Sequence, residues 1–203
     1  MPFILCYGNI NPRFLIATLP ENTNLPLSGK VTKSKNNFVY EVNEINARMF
    51  FTKAGIPENV SAFPLMINQV GNENDSKVHV IRELFAYSED NTAIFGGDVG
   101  EGSTIFFLNF DPESIKSSSQ CEIERINTFS DVNGAVLFSC ASRRMVLLGV
   151  NEDKAELQIA KNTIKQEIPF MLGYSGGEIC PVINNHGTLN NRFHNYSVAI
   201  LVI

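Results

Sequence analysis

The chain predicts an α+β fold, mixed α/β layers in which helices pack on one mixed β-sheet, and three observations carry that expectation. The second half alternates helix-like and strand-like apolar segments. The middle breaks into short apolar runs divided by Asn and Gly, as strands joined by tight turns do. Acidic caps and prolines mark where helices begin and stop. The 203 residues are 44% hydrophobic and 18% charged, against roughly 25% charged in an average domain. That length buries one substantial core, or two small ones, without disulfides or structural metal.

Residues 1–27 read as an irregular N-terminal arm, or the remnant of a preceding domain, punctuated by Pro12, Pro20 and Pro26. The main domain runs over 28–203. Phe38-Val39-Tyr40 is a strand. A helix follows, capped by Asn43, with Ile45, Met49 and Phe50 on one face and a stop at Gly55 and Pro57. Val78, Val80, Ile81, Leu84 and Phe85 form one strand cluster. Thr92–Phe95 and Thr104–Leu108 form two more, with the intervening glycines Gly96, Gly97, Gly100 and Gly102 favouring a turn over a phosphate cradle.

Asp111-Pro112-Glu113 is a helix start, with a side-chain cap, proline at the first position and a carboxylate at the positive end of the dipole. Ser117-Ser118-Ser119 weakens this helix and predicts a frayed first part. Ala135–Phe138 is apolar enough to be a strand buried on both faces. Asp153 and Glu156 suggest a capping pair for the next helix, whose Leu157, Ala160 and Ile164 should face the sheet before Pro169 ends it. Strands at Phe170–Tyr174 and Ser197–Ile203 close the chain. The strands near 135–139, 169–175 and 196–202 are expected in one sheet.

Composition removes several function classes. The net charge is −5 and the sixteen basic residues are scattered, which disfavours nucleic acid as a partner. Membrane insertion needs roughly 18 consecutive apolar residues, which the sequence lacks. Cys6, Cys121, Cys140 and Cys180 make no CxxC pair, and His79, His186 and His194 have no zinc-finger spacing. A reducing, cytoplasmic setting suits those thiols. Walker A, GxGxxG and HExxH are absent, so neither catalysis nor a cofactor is expected. An enzyme using Cys140 as nucleophile and His194 as base is the minor alternative, since nothing in sequence brings them together.

Three polar segments stand out. Phe138–Arg144 ends a buried strand, where ligands commonly meet a sheet. Arg143 can hold a carboxylate there, or be a solvated loop charge like Arg144. Gly173–Pro181 sets Ser175 and Glu178 around two glycines that permit close backbone approach; the alternative is a β-bulge with Glu178 exposed. Arg192–Ser197 offers His194, Asn195 and Tyr196, with His194 and Tyr196 on one strand face and Asn195 on the other.

These stretches, in order, carry a resemblance: Ala135–Cys140 with Arg143, Gly173 with Gly177-Glu178-Ile179 and Pro181, and Phe193–Ser197 before an apolar terminus. They resemble the FIST C-terminal domain, over roughly residues 28–203. The resemblance implies a non-catalytic sensory module in intracellular signalling that binds a small molecule such as an amino acid. Arg143, Glu178 and His194, supported by Ser175, Asn195 and Tyr196, would then form the pocket, with Arg143 for the ligand carboxylate and Glu178 for its ammonium. Members usually carry a FIST N-terminal domain first, and this chain is too short to hold a complete one beside it. Such a domain, or a signalling protein, is the implied partner. A protein-interaction or structural module is the alternative, marked by a continuous exposed apolar surface.

Overall fold

The structure, a computed structural model, describes residues 7–8, 10–18, 24–68, 79–108, 111–183 and 189–203. Cys6, Pro20, Val78, Phe110 and His186 lie outside the described residues. In chain order the strands of the first half are β1 (Arg13–Ala17), β2 (Asn24–Lys35), β3 (Phe38–Val42), β4 (Ile45–Asn46), β5 (Phe63–Asn68), β6 (His79–Tyr87), β7 (Ala93–Phe95) and β8 (Thr104–Leu108). The helix α1 (Ala47–Lys53) sits between β4 and β5. The second half runs α2 (Pro112–Ile126), β9 (Ala135–Cys140), α3 (Ala141–Leu148), α4 (Ala155–Thr163), β10 (Phe170–Ser175), β11 (Glu178–Ile183), β12 (Leu189–His194) and β13 (Val198–Val202).

The class is α+β, as expected, and the strands divide into three sheets. β2 to β8 pair in the order β2-β8-β5-β6-β7-β3-β4, and a β2–β3 pairing closes them into a barrel. Closure leaves few free strand edges. Alternation turns Val31, Val39, Leu65, Ile67, Leu84 and Ile105 inward, where they pack with Phe50 and Phe51 of α1. The Phe51 ring meets Phe95 edge-on with centroids 6.0 Å apart.

The second sheet has the order β1-β13-β9-β10, and its β9, β10 and β13 are the three strands expected together. Parallel β9 and β10 are joined through α3 and α4, as a parallel pair requires. Ile123 and Ile126 of α2 and Ala160 of α4 pack on Leu15, Leu137, Ile200 and Val202. The third sheet is the antiparallel ribbon β11–β12. Ile81 and Met66 on the barrel, Ile115 on α2, Leu147 on α3 and Tyr196 form an apolar seam between barrel and helices.

Local expectations change at several points. Residues 13–17 form an edge strand against β13 instead of an irregular lead-in. Asn46, not Asn43, caps α1, because Ile45 is taken into β4 and Asn43 adopts a left-handed φ of 52°. The α2 cap is as expected, with Asp111 accepting from the Ser114 amide at 2.7 Å, yet the helix is continuous through its serines. α4 has no side-chain cap: Asp153 pairs with Arg144 and Glu156 is fully buried. Ala160 and Ile164 face the sheet while Leu157 is only half-buried. β9 has one open face, since Phe138 is 42% exposed.

Candidate functional site at the barrel–sheet junction

The β9–α3 corner places Arg143 inside the protein with none of its surface exposed. Its Nε donates to Glu156 Oε1 at 2.8 Å and its Nη1 to the Tyr196 carbonyl at 3.0 Å. Nη2 lies 2.9 Å from the Ile115 carbonyl, 3.0 Å from Ser118 Oγ and 2.7 Å from Ser119 Oγ. Ser119 and Ser139 hydroxyls donate to the two oxygens of Glu156 at 2.7 and 2.5 Å. A buried ion pair needs such bonds to offset its desolvation. Every nitrogen of Arg143 is thus engaged by α2, α4 or the β12–β13 turn. The serines that weaken α2 on propensity are the ones that supply this network.

Glu178, at the start of β11, is 3% exposed. Its two oxygens accept from Ser175 at 2.6 Å and Ser197 at 2.8 Å. Burial pushes its carboxyl up to about 7; the two hydroxyls and the charge of Arg143 pull the other way, and Glu83 adds to the rise. Glu83 on β6 is 1% exposed, and burial raises it as well. The Cys140 thiol points at Glu83 Oε1 from 3.8 Å. Burial, then the Glu178 charge, holds that thiol above its ordinary range. With 1% exposure and acidic neighbours, Cys140 sits in the reverse of the environment a nucleophilic thiolate needs.

His194 pairs with Glu178 across the β11–β12 ribbon and is 2% exposed. Neither ring nitrogen has a hydrogen-bond partner among the described residues, although the Cys180 backbone lies near enough to favour the charged ring slightly. Burial first, and then Arg82, depress it to about 4, so the ring is neutral. Asn195 and Tyr196 lie in the turn after β12, so strand alternation does not govern them. Tyr196 takes a φ of 54°, and its hydroxyl donates to the Ala62 carbonyl on the barrel at 2.8 Å. Asn195, 1% exposed, leaves both Oδ1 and Nδ2 unpaired among the described residues.

Two glycines make room for that amide. A Cβ on Gly96 would lie 3.1 Å from Asn195 Oδ1, and one on Gly177 would lie 3.3 Å from Nδ2. Gly96 also donates its amide to the Glu83 carbonyl at 2.8 Å, and Gly177 precedes Glu178. The glycine-rich turn at 96–102 is therefore part of the junction, with Gly97 against Arg82 and Phe193. Arg82 is held by the carbonyls of Asp98, Ile81 and Phe193 at 3.3, 3.2 and 2.8 Å.

Arg143, Ser175, Glu178, His194, Asn195 and Tyr196 thus all gather where the barrel meets the second sheet. Glu83, Glu156 and Ser197 were not singled out as site residues in sequence. Glu83 lies inside a strand cluster and Glu156 resembles a helix cap, so only the fold brings them in. An open groove of about 490 Å³ beside α1, lined by Asn46, Arg48, Met49, Thr52, Glu58 and Asn91, includes none of the expected residues. Among the described residues no group of three or more His, Cys, Asp or Glu is arranged to hold a metal. No helix among them is long and apolar enough to cross a membrane.

No curated protein and no solved structure matches the chain. The FIST C domain family matches residues 44–181, more than half of it. That span holds the barrel strands from β4 onward, the Arg143–Glu156 network, Ser175 and Glu178, and stops short of His194 and Asn195. The chain belongs to the FIST C domain family, and with it to the sensory and signal-transduction modules.

Proposed function

We propose that the chain is a non-catalytic module that senses a small polar metabolite, of the amino-acid kind the family suggests, at the barrel–sheet junction. The observation that carries this is the pair His194 and Asn195. Among the described residues the Asn195 amide lies buried with both polar atoms unpaired, and the His194 ring has only the nearby Cys180 backbone, beside two carboxyls that carry no ion pair. A buried polar atom left unpaired costs about 1–3 kcal/mol, so native proteins keep few of them without a use. A bound molecule offering donors and acceptors supplies the missing bonds. Glu178, Ser175, His194 and Asn195 contact it, while Arg143 and Tyr196 hold the corner and turn that aim them.

The site touches both halves of the molecule, so occupancy tightens the barrel against the sheet. That coupling suits a signalling output. The three described cysteines are free thiols, in keeping with a reducing cytoplasm. A thermal-shift screen of amino acids and related metabolites tests the reading, because a ligand selective for the native state raises apparent stability. Stabilising compounds should lose their effect in Asn195→Ala and in Glu178→Gln. Asn195→Ala should itself be as stable as the parent or more so, since it removes an unpaired amide. Shifts that survive in both variants contradict the site.

A second reading rests on the outer face of the second sheet. Phe14, Leu201, Val136 and Met171 stand in one row across its four strands, opposite the face covered by α2 and α4. Phe14, Phe138 and Met171 are 40–46% exposed. A contiguous apolar face of this kind marks a protein-docking surface, for a FIST N-terminal domain or a signalling partner.

A further inference from the structure

The ligand class follows from which charges at the junction are already committed. Arg143 cannot meet a ligand carboxylate, because Glu156, two serines and two carbonyls hold its guanidinium. Arg82 is spread over three carbonyls and the Phe193 ring. Arg144 is half-exposed, pairs with Asp153 and stacks on Tyr174. Glu83 and Glu178 are different. Each is buried, and among the described residues neither has a Lys, Arg or His nitrogen within ion-pair distance. Their polar neighbours, Ser175 and Ser197 at Glu178 and Ser142 with the Cys140 thiol at Glu83, are donors that leave further lone pairs open on each carboxyl.

Two buried carboxyls that influence one another favour either a retained proton or a cationic guest. A primary ammonium carries three N–H donors on one charge, and the junction offers three acceptors: the Glu83 carboxylate, the Glu178 carboxylate and the unpaired Asn195 Oδ1. No cluster of metal-binding geometry occurs there among the described residues, so a metal ion is the poorer fit. We infer that the junction recognises a protonated primary amine through Glu83, Glu178 and Asn195, without a counter-group for a ligand carboxylate. This rests on the sensory reading above and narrows it from amino acids to amines.

The other charged or titratable groups facing the cluster are Cys140 on β9, Arg143 on α3, Arg82 on β6, His194 with Arg192 on β12, and Tyr196 in the turn before β13. Ethylamine, alanine and propionate separate the classes, because they share a small apolar body and differ in the ammonium and carboxylate. Isothermal titration of the full chain at pH 8 and fixed ionic strength should show ethylamine binding, with alanine and propionate at least tenfold weaker. Glu83→Gln and Glu178→Gln should each weaken ethylamine at least tenfold. Titration below pH 7, in buffers of different ionisation enthalpy, should show uptake of the amine coupled to release of a proton, with affinity falling as the pH drops. Should one variant fail to fold, the other variant and the proton release decide. Equal or tighter binding of alanine or propionate overturns the amine assignment and leaves the sensory reading intact, as does an Asn195-dependent ligand of another class with no ethylamine binding. Ethylamine binding unchanged in both variants also overturns the assignment. No binding by any metabolite overturns both.

Discussion

Arg143 shows how a residue visible in sequence acquires its role from residues that are not. Its place at the end of a buried strand marked it, but its partner Glu156 resembled a cap and Ser118 and Ser119 resembled helix breakers. Arg143→Ala should cost about 3–5 kcal/mol in chemical denaturation, by leaving Glu156 charged and buried without its cation. The double variant Arg143→Leu, Glu156→Leu should be less destabilised than the single one, because no orphan charge remains. Glu178 and His194 make opposed contributions with pH. Glu178, raised to about 7 from its usual 4.5, binds a proton that the unfolded chain has lost, so stability falls as pH rises between those values, by about 3 kcal/mol in all. His194, lowered to about 4 from 6.5, is neutral where the unfolded ring is charged, so stability rises with pH over that window. The two slopes nearly cancel between about pH 4.5 and 6.5. Glu83, also raised by burial, adds a fall of the same sign, so the contribution of Glu178 is read against the parent: Glu178→Gln should gain stability relative to it as the pH rises from about 4.5 to 7. A difference in midpoint between Glu178→Gln and the parent that stays flat between pH 5 and 7 would contradict the assignment.

Elements were legible where local chemistry decided them. Asp111-Pro112-Glu113 fixes the start of α2 because cap, proline and dipole agree, and Asp111→Ala should cost about 1 kcal/mol of stability by denaturation. The apolar runs that became β6, β8, β9 and β13 were readable for the same reason. The face of α4 was half-read: Ala160 and Ile164 are buried, but Leu157 lies beside the buried stripe and Glu156 within it. A helical pattern assumes that carboxylates face water, and a buried ion pair breaks that assumption. Ala160→Asp should destabilise the fold severely, whereas Leu157→Asp should shift the midpoint only modestly. Comparable losses in both would mean that α4 is rotated from the orientation described. The strands β1 and β2 were missed because prolines and asparagines obscure their alternation, and their partners β13 and β8 lie far along the chain.

At the scale of the molecule, the barrel was not legible because its closure depends on the β2–β3 and β2–β8 pairings, and register shifts interrupt both. The candidate site was partly legible. Three polar segments could be named from the β9, β10–β11 and β12–β13 connections, and the fold does bring them together. Their counterpart on the barrel, Glu83 beside the turn at Gly96 and Gly97, could not be named, since nothing local ties it to them. A sensor built at the boundary of two sheets gains its coupling from that arrangement, because a ligand touching both halves favours the docked state over a loosened one. The most direct test is a high-resolution crystal structure of the chain with its most stabilising metabolite. The account predicts density at the junction, bonded to Glu178 and to the amide of Asn195 and enclosed by Gly96 and Gly177. A ligand seated in the groove beside α1, with Asn195 and His194 unchanged and still unpaired, would contradict it.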